Sequence, residues 1–177
     1  MDLQLCGIDP GLETTGYAIV RCNGGQMQIH DAGVCRTDRG AGLPDRLAQI
    51  EADFRELLDQ SKPDMMAVEQ LYAHYRHPRT AILMGHARGV MLSAAASRGI
   101  PVRDYAATHV KRILTGNGHA SKGQVQRAVA VAYGLDQLPE PPDVADALAI
   151  ALCCALDLQQ RESHLAVVAA NGAGDPR

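Results

Sequence analysis

The feature that most restricts this chain is a change of hydrophobic period near residue 40. Before it, apolar residues gather in short strand-like runs; after it, most recur every three or four positions. Leu3–Ile8 is a short apolar run that stops at Asp9-Pro10-Gly11, a turn signal. Thr15–Val20 is rich in strand formers, and Met27, Ile29 and Val34 mark a third strand behind the hairpin turn Asn23-Gly24-Gly25. Three strands on short links predict an antiparallel meander. Leu47, Ile50, Phe54, Leu57 and Leu58 then fall at helical spacing after Pro44-Asp45, and Lys62-Pro63 ends that helix. Met65–Val68 suits a buried strand ending at Glu69. Arg79–Ser97 reads as a long Ala-rich helix and Pro101–Tyr105 as a short strand. Thr108–Leu114, Ser121–Tyr133 and Asp143 to about Arg161 read as three more helices. Ser121 and Gln124 have the spacing of a capping box.

This order, β-β-β-α-β-α-β-α-α-α, predicts an α/β fold: a five-stranded mixed sheet flanked by helices. Right-handed crossovers make the fourth strand parallel to the first, and we expect the two to be neighbours. Ligands of open α/β sheets sit off the carboxyl ends of the strands. Asp9 and Glu69 both stand at such ends.

The 177 residues fit one domain, expected over 1–163. Residues 164–177 are mostly small, end in Gly-Asp-Pro-Arg and are expected to form a disordered tail. The hydrophobic fraction of 46% excludes a disordered chain as the default. No apolar run approaches the roughly 20 residues that span a bilayer. The start carries Asp2 without a basic stretch and does not read as a signal peptide. The five cysteines are odd in number and match no zinc spacing, which points to buried thiols in a reducing compartment. A cytoplasmic protein without a membrane partner is therefore expected.

The net charge is −3, but its distribution is uneven. Between Gln70 and Gly134 lie nine Lys/Arg against a single acid, Asp104, a formal +8, together with five of the seven histidines. Such segregation is a footprint of nucleic-acid binding; clustered solvated helix faces are the plainer alternative.

Four acids stand out. Asp9 could simply cap its own turn. Glu69, directly after four apolar positions, would be partly buried, and a buried carboxylate needs a partner or a metal. Asp143 and Asp146 share one helix face, although acids in a first turn also serve the helix dipole. If the four meet, their repulsion demands cations or shifted pKa values. Two hard divalent ions, Mg²⁺ in the first place with Mn²⁺ able to substitute, would balance the charge and suit phosphodiester hydrolysis to 5′-phosphate and 3′-hydroxyl ends.

The chain closely resembles the RuvC family of Holliday-junction resolvases. The resemblance is carried by Gly7-Ile8-Asp9-Pro10-Gly11 with Thr15-Gly16-Tyr17, by Val68-Glu69-Gln70, by Ala87-Arg88-Gly89-Val90, and by Asp143-Val144-Ala145-Asp146-Ala147-Leu148-Ala149. These motifs occur in order over about residues 2–160. The resemblance implies an RNase H-like fold, a homodimer, and a structure-selective endonuclease that places paired symmetric nicks across a four-way DNA junction in recombination and repair. It implies that Asp9, Glu69, Asp143 and Asp146 are catalytic metal ligands, and that RuvA and RuvB branch-migration proteins are partners. Lys111 and Lys122 resemble family lysines near the cleaved strand, with Lys122 also taken as catalytic. Tyr72 stands where some members carry Phe, a ring thought to stack on junction bases. Tyr72, Arg76 and Arg79, among interleaved aromatic and basic residues, are further expected DNA contacts. The small residues of the Arg79–Ser97 helix, among them Gly85, Ala87, Gly89 and Ala94–Ala96, imply dimerisation there; packing on the chain's own sheet is the alternative. Two competing readings are another RNase H-like nuclease with a different nucleic-acid substrate and a non-catalytic junction-binding scaffold. Asp9-Pro10-Gly11 with Thr14-Thr15-Gly16 also resembles the first phosphate loop of actin-like ATPases, but those folds need two such domains.

Overall fold

A computed structural model describes residues 2–71 and 78–172, with the backbone alone for residue 78 and for 165–172. Strands β1 (Asp2–Asp9), β2 (Thr14–Asn23) and β3 (Gln26–Arg36) form the expected antiparallel meander. Its tight turn works because Gly24 and Gly25 adopt φ of 58° and 87°, the left-handed pair that matches strand twist in a two-residue hairpin. Helix α1 (Leu43–Ser61) leads to β4 (Met65–Glu69), and α2 (Pro78–Ala96) leads to β5 (Val102–Tyr105). Helices α3 (Ala107–Thr115), α4 (Lys122–Tyr133) and α5 (Pro142–Gly172) follow. The sheet order is β3-β2-β1-β4-β5, with β4 parallel to both β1 and β5. The expected neighbours, β1 and β4, pair from Leu5 with Met65 to Ile8 with Val68.

Strand alternation sorts the core into two layers. Leu5, Ala18, Val20 and Ala67 point to one face, where Val110 of α3, Val129 of α4 and Leu148 of α5 cover them. Cys6, Ile8, Ile19, Met66 and Val68 point to the other, against Ile50, Phe54 and Leu58 of α1 and Ala87, Met91, Ala94 and Ala95 of α2. These last residues follow the alternative reading of the α2 small residues, packing on the chain's own core. Gly85, Gly89 and Ala96 instead belong to its exposed side, with Ile82 and Ser93.

Several boundaries differ from expectation, most of them by one or a few residues. Helix α2 starts one residue earlier, at Pro78, since proline is tolerated where the first-turn N–H lacks a partner. Helix α5 begins at Pro142 for the same reason. It continues to Gly172, so the tail expected from residue 164 begins inside a helix. The Ala-rich composition of 166–170 favours that continuation. The capping box at Ser121 forms as expected, with Ser121 and Gln124 satisfying each other's backbone N–H groups. Four of the five cysteines are buried; Cys35 is half-buried, and all are free thiols. No helix among the described residues is long and apolar enough to cross a membrane.

Candidate active site

The parity that sorts the core also aims the acids. Asp9 shares a face with Leu5 and Gly7, and Glu69 with Met65 and Ala67. One register step beyond the Ile8–Val68 pair sets the two carboxyl groups side by side on the α5 face of the sheet.

Helix α5 supplies the other two acids, and two glycines let it come close enough. A Cβ on Gly7 would collide with the Ala147 carbonyl oxygen and lie 2.8 Å from the Ala151 Cβ. A Cβ on Gly16, which pairs with Asp9 across the β1–β2 ladder, would collide with the Asp143 carbonyl oxygen. With Ala145, Ala147, Ala149 and Ala151 along its buried stretch, α5 lies almost directly on the strand backbones. Its first turn is held beside Asp9. The loop after Asp9 is closed by the buried Thr15, whose hydroxyl donates to the Gly11 carbonyl at 2.7 Å.

The electrostatics show the crowding. Burial, followed by the charges of Glu69, Asp146 and Asp143, holds the Asp9 carboxyl well above the usual range. Burial also raises Glu69, opposed by its hydrogen bond from Asp9 and by the nearby charges of Lys111 and Lys122. The two carboxyl groups therefore influence each other's titration, with Asp9 pushed up and Glu69 partly held back by their contact. Lys122 Nζ donates to Asp146 Oδ2 at 2.7 Å. Burial alone would lower the lysine's pKa, but that hydrogen bond and the charges of Asp146, Asp143 and Asp9 raise it instead. The Lys122 ammonium thus offsets only part of the charge of four acids. An all-oxygen donor set short of positive charge fits hard divalent cations.

A cavity opens beside these groups. Glu69, Lys111, Lys122 and Asp146 form its polar rim, and Val110, Val125 and Ile150 its apolar wall. The apolar wall went unrecognised in the sequence, as did the role of Gly7 and Gly16. The alternation of Gly7 with Leu5 and Asp9, and the four-residue spacing of Ala147 and Ala151, were the signals available. Arg88 was also missed as an organiser of the site. From α2 its Nε donates to the Glu69 carbonyl at 3.2 Å while its Nη2 pairs with Asp104, tying the end of β4 to β5.

The basic block is partly consumed inside the chain. Its one acid, Asp104, pairs with Arg88, and Arg98 pairs with Asp59 of α1 at 2.7 Å. Arg79, Arg112 and Arg127 are exposed, while Lys111 and Lys122 face the cavity. Of the expected DNA contacts, Tyr72 and Arg76 lie outside the described residues.

The strand order and the carboxylates at the ends of β1 and β4 define an RNase H-like chain with an acidic site on the α5 face of its sheet. The family model for the crossover junction endodeoxyribonuclease RuvC matches residues 5–154. A crossover junction endodeoxyribonuclease RuvC of Rhodopirellula baltica is 52% identical over 149 residues, covering 84% of each chain. The chain belongs to the RuvC family. The solved Thermus thermophilus RuvC structure aligns with a TM-score of 0.82 at 34% identity, over 89% of this chain and 96% of that one. The T. thermophilus RuvC complex with a Holliday junction substrate aligns at 0.81 and 36% identity, over 85% and 92%.

Proposed function

We propose that this protein is a metal-dependent endonuclease that resolves four-way DNA junctions by paired symmetric nicks in recombination and repair. The observation that carries the reading is the convergence of Asp9, Glu69, Asp143 and Asp146 beside Lys122 in a chain of this family. Asp9, Glu69, Asp143 and Asp146 hold the metal ions, with Mg²⁺ as the physiological ion and Mn²⁺ able to substitute. When bound, the ions supply an activated water and stabilise the leaving 3′ oxygen of an in-line displacement.

The chain's own groups do the rest. Bound cations would favour the ionised form of both Asp9 and Glu69, because positive charge beside them would remove the reason for holding a proton. Lys122 exchanges Asp146 for the phosphate of the bound strand, and Lys111 adds a second point charge on the same rim. Val110, Val125 and Ile150 exclude water from one side, which strengthens those interactions. The products carry 5′-phosphate and 3′-hydroxyl ends. Tyr72, Arg76 and Arg79 are the proposed contacts to DNA beyond the cut strand.

Two copies act together. The solvent side of α2, with Ile82, Gly85, Gly89, Ser93 and Ala96 in one stripe, offers a close-approach surface for a second copy. An isologous pair presents two sites to strands of like polarity. RuvA and RuvB proteins are the expected partners, and the cytoplasm the expected compartment. Parallel cleavage of labelled junctions, duplexes, flaps and RNA–DNA hybrids in Mg²⁺ tests the substrate. Junctions should be nicked symmetrically and the others left largely intact; equal cutting of plain duplex would defeat the proposal.

A further inference from the structure

A second group of metal-ligating side chains lies farther along α5, away from the four acids. Among the described residues, the ligand atoms of His109, Cys153 and Asp157 all lie within 4.8 Å of one another. Cys153 and Asp157 are four apart on α5 and share one helix face. His109 reaches them from α3, with its Nε2 at 3.2 Å from Asp157 Oδ2. We propose that these three side chains form a site for a borderline-soft divalent ion of the Zn²⁺ class, clipping α3 to α5.

The donor set decides the class. A thiolate, an imidazole and a carboxylate are the ligands such ions take, whereas Mg²⁺ and Ca²⁺ prefer oxygen alone. Ligand bonds of about 2.0–2.3 Å in a tetrahedron leave donors roughly 3.3–3.6 Å apart. The His109–Asp157 separation is already of that size, and a small shift of the Cys153 side chain completes the triangle. The His109 ring is also oriented in advance: it stacks on Tyr105, with centroids 6.2 Å apart and planes at 26°. Preset rings of this kind strengthen metal sites.

The protein supplies three ligands and leaves the fourth position toward solvent, where a cavity borders His109 and Asp157. Arg161, one turn beyond Asp157, borders the same cavity. On binding, the Cys153 S–H bond breaks, the sulfur electron pair goes to the metal and the proton goes to water. The −2 charge of thiolate and carboxylate then balances a divalent ion. Asp146 precedes Cys153 by seven residues, about 10 Å along the helix, so this position is separate from the nuclease acids. The site stands whether or not the nuclease reading holds.

Co²⁺ is the probe, because its thiolate complexes absorb in the near ultraviolet through sulfur-to-metal charge transfer. The full chain is titrated with Co²⁺ in excess Mg²⁺, which occupies the oxygen-only acids. The expected result is a charge-transfer band saturating at one Co²⁺ per chain. Cys153→Ala should abolish it, His109→Gln should weaken binding at least about tenfold, and Asp143→Asn should leave it unchanged. His109 is half-exposed, so His109→Gln keeps the test valid if the buried Cys153→Ala variant folds poorly. Absence of the band at saturating Co²⁺, or its full retention in His109→Gln, would overturn the proposal and leave an ordinary His–Asp pair beside a buried thiol.

Discussion

Helices α2 and α5 look alike in sequence, both rich in alanine and both associated with glycines, yet their small residues do opposite things. On α5, Ala147 and Ala151 meet Gly7, and the helix start meets Gly16, with no room for one more methyl group. On α2, Gly85 and Gly89 have nothing within 4 Å of where a Cβ would stand in the single chain. Small residues therefore bring backbones together only where another backbone lies opposite. In α5 that closeness has a chemical result: it carries Asp143 and Asp146 to the carboxyl ends of the interior strands β1 and β4, where Asp9 and Glu69 stand.

The sharpest way to break the contrast is to make the same change at both places. Gly7→Ala should cost on the order of 3 kcal/mol, because neither the Ala147 carbonyl nor α5 can retreat without opening the core. Denaturant unfolding measures this, and a loss below half that value would mean α5 is not pinned as described.

Asp9→Asn probes the electrostatic consequence of the same closeness in metal-free protein. The folded-state pKa of Asp9 is raised, so the carboxyl stabilises the fold while protonated, below its unfolded pKa. That contribution is lost as pH rises through the elevated folded value. The asparagine variant has no such proton to lose. It should gain stability relative to wild type as pH climbs from about 4 toward neutrality and above. Urea midpoints at several pH values without metal, then with Mg²⁺, check this; the gap should shrink once cations are present.

Helix α4 gives an intermediate case, since its first residue carries Lys122. Ser121→Ala removes half of a complete capping box and should cost about 1 kcal/mol, read as a lower unfolding midpoint. Smallest of all, Gly89→Ala on the open side of α2 should stabilise the monomer by about 0.5–1 kcal/mol through helix propensity. If that side pairs with a second copy, the same change should weaken self-association, which sedimentation at varied concentration would detect.

Much of this arrangement is legible in the residues themselves. The strand ends at Asp9 and Glu69 and the Ser121 cap follow from local period and turn chemistry, and the parallel direction of β4 against β1 from crossover handedness. The parity of Leu5, Gly7 and Asp9 also specifies the face. What local pattern could not supply was distance. Gly7 lies 140 residues from Ala147, and only tertiary packing reveals that each exists for the other. His109 and Cys153 likewise sit on different helices, α3 and α5, with the whole of α4 between them, so cysteine spacing alone gave no sign of their meeting. Arg88 read as one more charge of a basic block, because its partner Asp104 sits on another element. The end of α5 was misjudged for a different reason: small residues without clear amphipathic period still favour helix when they continue one already formed.

The central claim is that four carboxylates drawn together by the close seating of α5 form one cleavage site. Asp9→Asn on a labelled synthetic four-way junction in Mg²⁺ tests it most directly, with binding and cleavage measured on the same sample. The account predicts that the variant binds the junction like wild type and loses cleavage by several orders of magnitude. Nicking at the wild-type rate would contradict it.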